Sequence, residues 1–252
     1  MKSLKKYAHN RFRNLKLQLK QYEKKTDPEA LHRIRVELKK IKVLFHLLDF
    51  CSNNFNAKWE YKPLKNIFRK AGRIRMFDVV AQVLCVHKVD SVRQDDIPDI
   101  KKKKKYVSSF KETTPDFQHI IRKYDRRVKK YLEQVRAGCL EKYLVSKKNE
   151  VRKNLLRRLP LCKLHEARKL IKEVVYLSPL LKDNSGDTKY YQSLQSTIGR
   201  WHDKKMLLRL LRKNKKGLNS KRIKKLETES ENDLKKLKLF ISKKYKIIYN
   251  EK

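Results

Sequence analysis

Acidic residues are scarce in this chain: 27 Asp and Glu stand against 68 Lys and Arg, leaving a formal net charge of +41 over 252 residues. So little negative charge excludes a receptor for cationic partners. The unbalanced field draws polyanions instead, whether nucleic acid, an anionic membrane or another polymer, and draws them in fastest at low salt. Glycine and proline are nearly as rare, five and six residues, which excludes a chain broken by frequent turns and implies long, uninterrupted helices. There is no long apolar run. Val43 to Leu48 is the greasiest stretch, His46 interrupts it, and it is far too short to span a bilayer. The first ten residues lack an apolar core, so no signal peptide is expected. Cys51, Cys85, Cys139 and Cys162 stand apart with no C-x-x-C spacing, which excludes a zinc-knuckle pattern and reads as reduced core thiols in a cytoplasmic protein.

Enzymatic signatures are missing too. No two of the seven histidines have H-x-x-x-H spacing, and no glycine-rich phosphate loop or nucleophile elbow occurs. The expectation is a binding protein with no catalytic residue, no metal and no cofactor.

What is present is helical periodicity. Leu4, Ala8, Phe12, Leu15, Leu19 and Tyr22 mark a first amphipathic helix. Asp27-Pro28 then supplies a cap and a first-turn proline for a second helix with the stripe Leu31, Ile34, Leu38, Ile41, Phe45 and Leu48. Further helices are expected from about Trp59 to Gly72 and from about Phe77 onward. The pattern loosens between Asp90 and Asp116, which reads as a connection with at most one short helix. It resumes from Phe117, continues to Gly199 and beyond, and ends in one long helix from about Asn219. The fold class is all-α.

Two phrases repeat within this pattern. Leu31-His32 and Leu164-His165 each open a Leu-His-x-x-Arg motif with a lysine seven residues after the histidine. At helical pitch, His32, Arg35, Lys39 and Lys42 form one row, as do His165, Arg168 and Lys172, with Lys169 beside them. Each row sits one residue past an apolar stripe, a rotation of about 100°, so it flanks the core. The first helix repeats the arrangement with His9, Arg13, Lys16 and Lys20. A second shared feature follows: Gly72-Arg73-Ile74-Arg75 comes 40 residues after His32, and Gly199-Arg200-Trp201-His202 comes 34 after His165. Two features in the same order imply an internally duplicated helical unit. The expected division is a single domain, 1–252, with a first half of about 1–110 and a second of about 116–252.

Arginine offers phosphate a planar fork, lysine a mobile point charge and histidine a directional donor that a nearby phosphate protonates. Successive donors about 5.4 Å apart suit a linear chain of phosphates.

These residues resemble the CHAD family, the conserved histidine α-helical domain. Its phrase His-x-x-Arg-[Val/Lys]-x-x-[Lys/Arg] is matched by His32-Arg35-Val36-Lys39 and by His165-Arg168-Lys169-Lys172. Its Gly-x-x-[Arg/His]-Asp motif is matched by Gly199 to Asp203. The other copy, Gly72 to Met76, has methionine where aspartate is usual, with Asp78 just beyond. The resemblance implies two pseudo-symmetric four-helix bundles with a basic groove or pore between them, non-enzymatic binding of inorganic polyphosphate, and association with polyphosphate granules. Many members carry a fused triphosphate-tunnel (CYTH) domain; this chain resembles the stand-alone form. The residues implied for polyphosphate are His32, Arg35, Lys39, Lys42, Arg73 and Arg75, then His165, Arg168, Lys169, Lys172 and His202, with Arg13 and Lys20 from the first helix.

The rival is an RNA- or DNA-binding protein, since the charge would serve and twelve tyrosines could stack on bases. Yet Tyr7, Tyr22, Tyr124 and Tyr131 fall on or beside apolar stripes, and no helix-turn-helix, RRM or KH signature occurs. Nucleic acid is therefore expected as a weaker partner. The apolar stripes are committed to packing, so no membrane partner is expected. Nothing in the sequence sets the oligomeric state.

Overall fold

The computed structural model describes residues 2–86, 100–156, 161–181, 185–213 and 220–245, and every regular element among them is helical. The chain forms two compact units, Met1–Leu140 and Glu141–Lys252.

The first unit opens with α1 (Lys2–Lys25) and α2 (Pro28–Cys51). All six stripe residues of α1 are buried, as are the six expected on α2. Asp27 ends the turn between them by accepting hydrogen bonds from the backbone N–H groups of Glu29 (2.9 Å) and Ala30 (3.2 Å), which satisfies two of the open donors at the start of α2. The short α3 (Ala57–Glu60) leads into α4 (Lys62–Val86), then come α5 (Ile100–Glu112) and α6 (Thr114–Gln134). Helix α1 packs on α2 and α6, α2 on α4, and α4 on α5. An aromatic chain knits these helices: Tyr22 meets Phe110 edge-on at 5.4 Å, Phe110 meets Phe117, and Phe45 touches Phe55, Tyr61 and Tyr124.

The second unit takes in most of α7 (Cys139–Leu156), then α8 (Leu161–Leu177), a 3-10 turn at Ser178–Leu180, α9 (Ser185–Lys213) and α10 (Ser220–Tyr245). Gly138, at φ +79°, supplies the left-handed turn before α7. Helix α9 packs on both α8 and α10. Val151, Leu164, Ala167, Ile171, Leu194, Ile198, Trp201, Leu237 and Ile241 are among the residues of its core.

Several expectations change. Gly72 does not end a helix: α4 runs through it, and α9 runs through Gly199. The stretch read as a connection holds α5, whose Tyr106 and Phe110 turn inward against Phe77 and Tyr22 while Lys101, Lys102, Lys104 and Lys105 stay exposed. Residues 87–99 lie outside the described residues, as does Pro160. The first unit also extends to Leu140 rather than to about residue 110, because α5 and α6 pack into it. Finally, Cys51 and Cys139 are not separate thiols. They form a disulfide with Cα atoms 6.0 Å apart, across a separation of 88 residues; the fold brings the end of α2 to the start of α7, which no local spacing could signal.

Candidate functional site

In the first unit the His32 row lines the seam between α2 and α4. Arg35 lies flat across α4. Its guanidinium donates to the Phe68 carbonyl at 2.9 Å and stacks 4.2 Å from the Phe68 ring centroid. The same group fills the space over Gly72, where an added Cβ would collide with Arg35 Nη1. The glycine is thus the slot that admits the arginine, which is why it sits inside a helix. Arg75, one turn further along α4, is held by Asp78 at 3.8 Å, and Asp78 also takes Lys103 of α5 at 2.8 Å. Burial lowers the His32 pKa below its ordinary 6.5; Arg75, Lys39 and Arg35 push the same way and Glu29 opposes them. Both burial and the neighbouring cations favour the neutral imidazole.

The second unit repeats the contact. Arg168 Nη2 lies 3.4 Å from where a Gly199 Cβ would stand, and Arg168 Nε is buried without a hydrogen-bond partner among the described residues. Beside it the rings of His165 and His202 stack with centroids 5.8 Å apart. His202 Nδ1 is 3.4 Å from Asp203, which is itself 75% exposed. Burial again lowers the His165 pKa, followed by Lys169, His202, Arg168 and Lys172. A phosphate oxygen arriving here would reverse that balance: it offsets the crowded positive charge and favours the imidazolium, which gains a donor.

The structure therefore gathers His32, Arg35 and Arg75 on one seam, with Lys39 half-buried and Lys42 exposed further along α2. It gathers His165, Arg168 and His202 on another, with Lys169 exposed and Lys172 half-buried on α8. Arg73 leaves the row and turns to α5, 5.8 Å from the Tyr106 ring centroid. Arg13 and Lys20 are also elsewhere, bordering a cavity between α1 and α6. Sequence reading missed Phe68, whose carbonyl and ring fix Arg35; its place four residues before Gly72 was the available signal. It also missed Lys205 and Arg209, which extend the basic edge of α9 at intervals of three and four beyond His202. Burial, and then Arg209, lower the Lys205 pKa.

A family model for the CHAD domain matches residues 6–212. The fold is also similar to the crystal structure of the CHAD domain from the plant Ricinus communis, with a TM-score of 0.67 at 13% sequence identity, covering 95% of this chain and 90% of that one. At that identity the likeness establishes the fold. A search of curated proteins finds no match. With an arginine laid over a helical glycine in each unit and most of its length matched, this chain belongs to the CHAD domain family.

Proposed function

We propose that this protein binds inorganic polyphosphate, without catalysis, through the two histidine-led rows, each unit contributing one. The observation that carries the reading is the packing of Arg35 over Gly72 and of Arg168 over Gly199, each with a histidine one turn away on the same helix. Phe68 holds the Arg35 fork before any ligand arrives, so little side-chain freedom is lost there on binding. The family's association with polyphosphate points the same way, and the shared contact is what a duplicated unit would leave in each half. Polyphosphate granules are then the natural location. Among the described residues no helix is long and apolar enough to cross a membrane.

Base stacking finds less support. Tyr22, Tyr61, Tyr124 and Tyr131 are occupied with Phe110, Phe45 and Phe55. The test is competition. Long-chain polyphosphate is expected to displace RNA at well below equal phosphate concentration, and the paired substitution R35E/R168E to weaken polyphosphate binding about 100-fold or more at unchanged helicity. Displacement in the opposite order, or wild-type affinity in the double variant, overturns the reading. Steep salt dependence is expected with either polymer and does not discriminate.

A further inference from the structure

Arg75, Arg35 and His32 crowd like charges into the α2–α4 seam. Burial lowers the Arg35 pKa; Tyr61 opposes the shift and Arg75 adds to it. Cations so placed repel one another, and a long arginine side chain gains freedom by swinging into water. In the second unit a carboxylate attends the corresponding cation: Asp203, the next residue, lies 3.4 Å from His202 Nδ1. Counted from Gly72 as Asp203 is from Gly199, the matching position in the first unit is Met76, which is 58% exposed and carries no charge. Asp78 supplies the acid from another register. It follows Arg75 by three residues, one turn along the same face of α4. Its side chain is 8% exposed, with Oδ2 3.8 Å from Arg75 Nη1 and Oδ1 2.8 Å from Lys103 Nζ on α5. Oδ2 is buried and has no hydrogen-bond partner among the described residues. At 3.8 Å the contact with Arg75 is an attraction between charges rather than a hydrogen bond, so it restrains the guanidinium without occupying its N–H donors. The carboxylate lies on the core side of α4: burial raises the pKa of Tyr22 beneath it, and Asp78 adds to that rise.

We propose that Asp78 is a positioning residue, holding Arg75 of α4 and Lys103 of α5 together as a cationic pair that continues the His32 row onto a third helix. The inference rests on the polyphosphate reading and adds two roles to it. Asp78 keeps the Arg75 fork in the seam against repulsion from Arg35. It also draws in an ammonium from a helix that carries neither histidine phrase. Lys103 is half-exposed and has three donors, so its contact with one carboxylate oxygen leaves donors for an incoming phosphate. Docking of α5 does not hang on this carboxylate alone. Phe77 meets Tyr106 with ring centroids 6.0 Å apart, and Arg73 lies 5.8 Å from the centroid of the same tyrosine. Loss of the Asp78 charge therefore releases the two cations while the helices stay packed.

The sign of the effect separates positioning from plain charge. A carboxylate beside an anion site repels phosphate, so its neutralisation alone strengthens binding; loss of positioning weakens it. The experiment titrates the full chain with long-chain inorganic polyphosphate at one salt concentration, alongside D78N, K103Q, R75Q/K103Q and D78N/R75Q/K103Q, with helicity followed in each. D78N is expected to weaken binding about tenfold although it removes a negative charge, and K103Q to weaken it about threefold. In the R75Q/K103Q background, D78N is expected to cause no further loss. Affinity of D78N at or above that of the wild type overturns the proposal, as does an equal loss from D78N in the R75Q/K103Q background. So does unchanged affinity in K103Q, a half-exposed position that tests the pair even where D78N loses helicity. R35E/R168E, titrated in parallel, keeps the two readings apart. If that variant binds as tightly as the wild type, the histidine-row reading fails and Asp78 has no row to extend. If it is weakened while D78N is not, the role of Asp78 fails alone.

Discussion

One methyl group separates the two glycines in their consequences. Alanine at Gly199 would meet Arg168 Nη2 at 3.4 Å, an ordinary contact, whereas alanine at Gly72 would strike Arg35. In a helix interior, Gly to Ala normally stabilises by about 0.5 to 1 kcal/mol. G199A is therefore expected to raise the melting temperature. G72A must push Arg35 off the Phe68 carbonyl, forfeiting about 1 kcal/mol of hydrogen bonding, so the helical gain cancels and the fork is displaced. Thermal melts together with polyphosphate titrations check this: G72A should show no gain in stability and weakened binding. A parallel response in the two variants would refute the slot interpretation.

The histidines acquire their properties from the helices that face them. His32 is held below 6.5 first by burial and then by Arg75 from α4, before the cations of its own helix; His165 is lowered first by burial, with His202 of α9 among the next causes. As pH falls through 6.5, the unfolded chain takes up these protons before the folded one. The free protein accordingly loses stability across that interval. On the proposed function, bound polyphosphate would favour the protonated rings, and its affinity is expected to rise over the same range. Titrations between about pH 7.5 and 5.5 should show a steeper gain for the wild type than for H32Q/H165Q; identical slopes would remove the histidines from the site. Much of this architecture was legible from spacing. The stripes of α1 and α2, the Asp27 cap and the His-Arg rows all follow from a period near 3.6. What spacing could not reveal is which neighbour each flank meets. Arg13 and His32 both stand one residue past a core stripe, yet one borders α6 and the other α4. The glycines misled for a related reason. Gly72 looks like a terminator until Arg35, 37 residues earlier in the chain, is seen to occupy its missing side chain.

For the molecule as a whole, the division into units was the least legible feature. The lysines of α5 and the prolines near it read as a linker, because the inward faces of Tyr106 and Phe110 are too few to dominate a short, strongly basic segment. The disulfide was invisible for a different reason: it depends on where α2 ends and α7 begins in space. Closing a loop across 88 residues removes freedom from the unfolded chain worth about 4.6 kcal/mol in the chain-entropy picture. Melting with and without a phosphine reductant should expose it as a lower transition temperature for the reduced protein, with intact mass reporting two added hydrogens. An unchanged transition after verified reduction would show that the bond adds nothing. This crosslink closes residues 51–139 of the first unit, from the end of α2 to the start of α7, into a covalent ring. Its resistance to unravelling is therefore tied to the thiol chemistry of its surroundings, a dependence that the helices alone would never have.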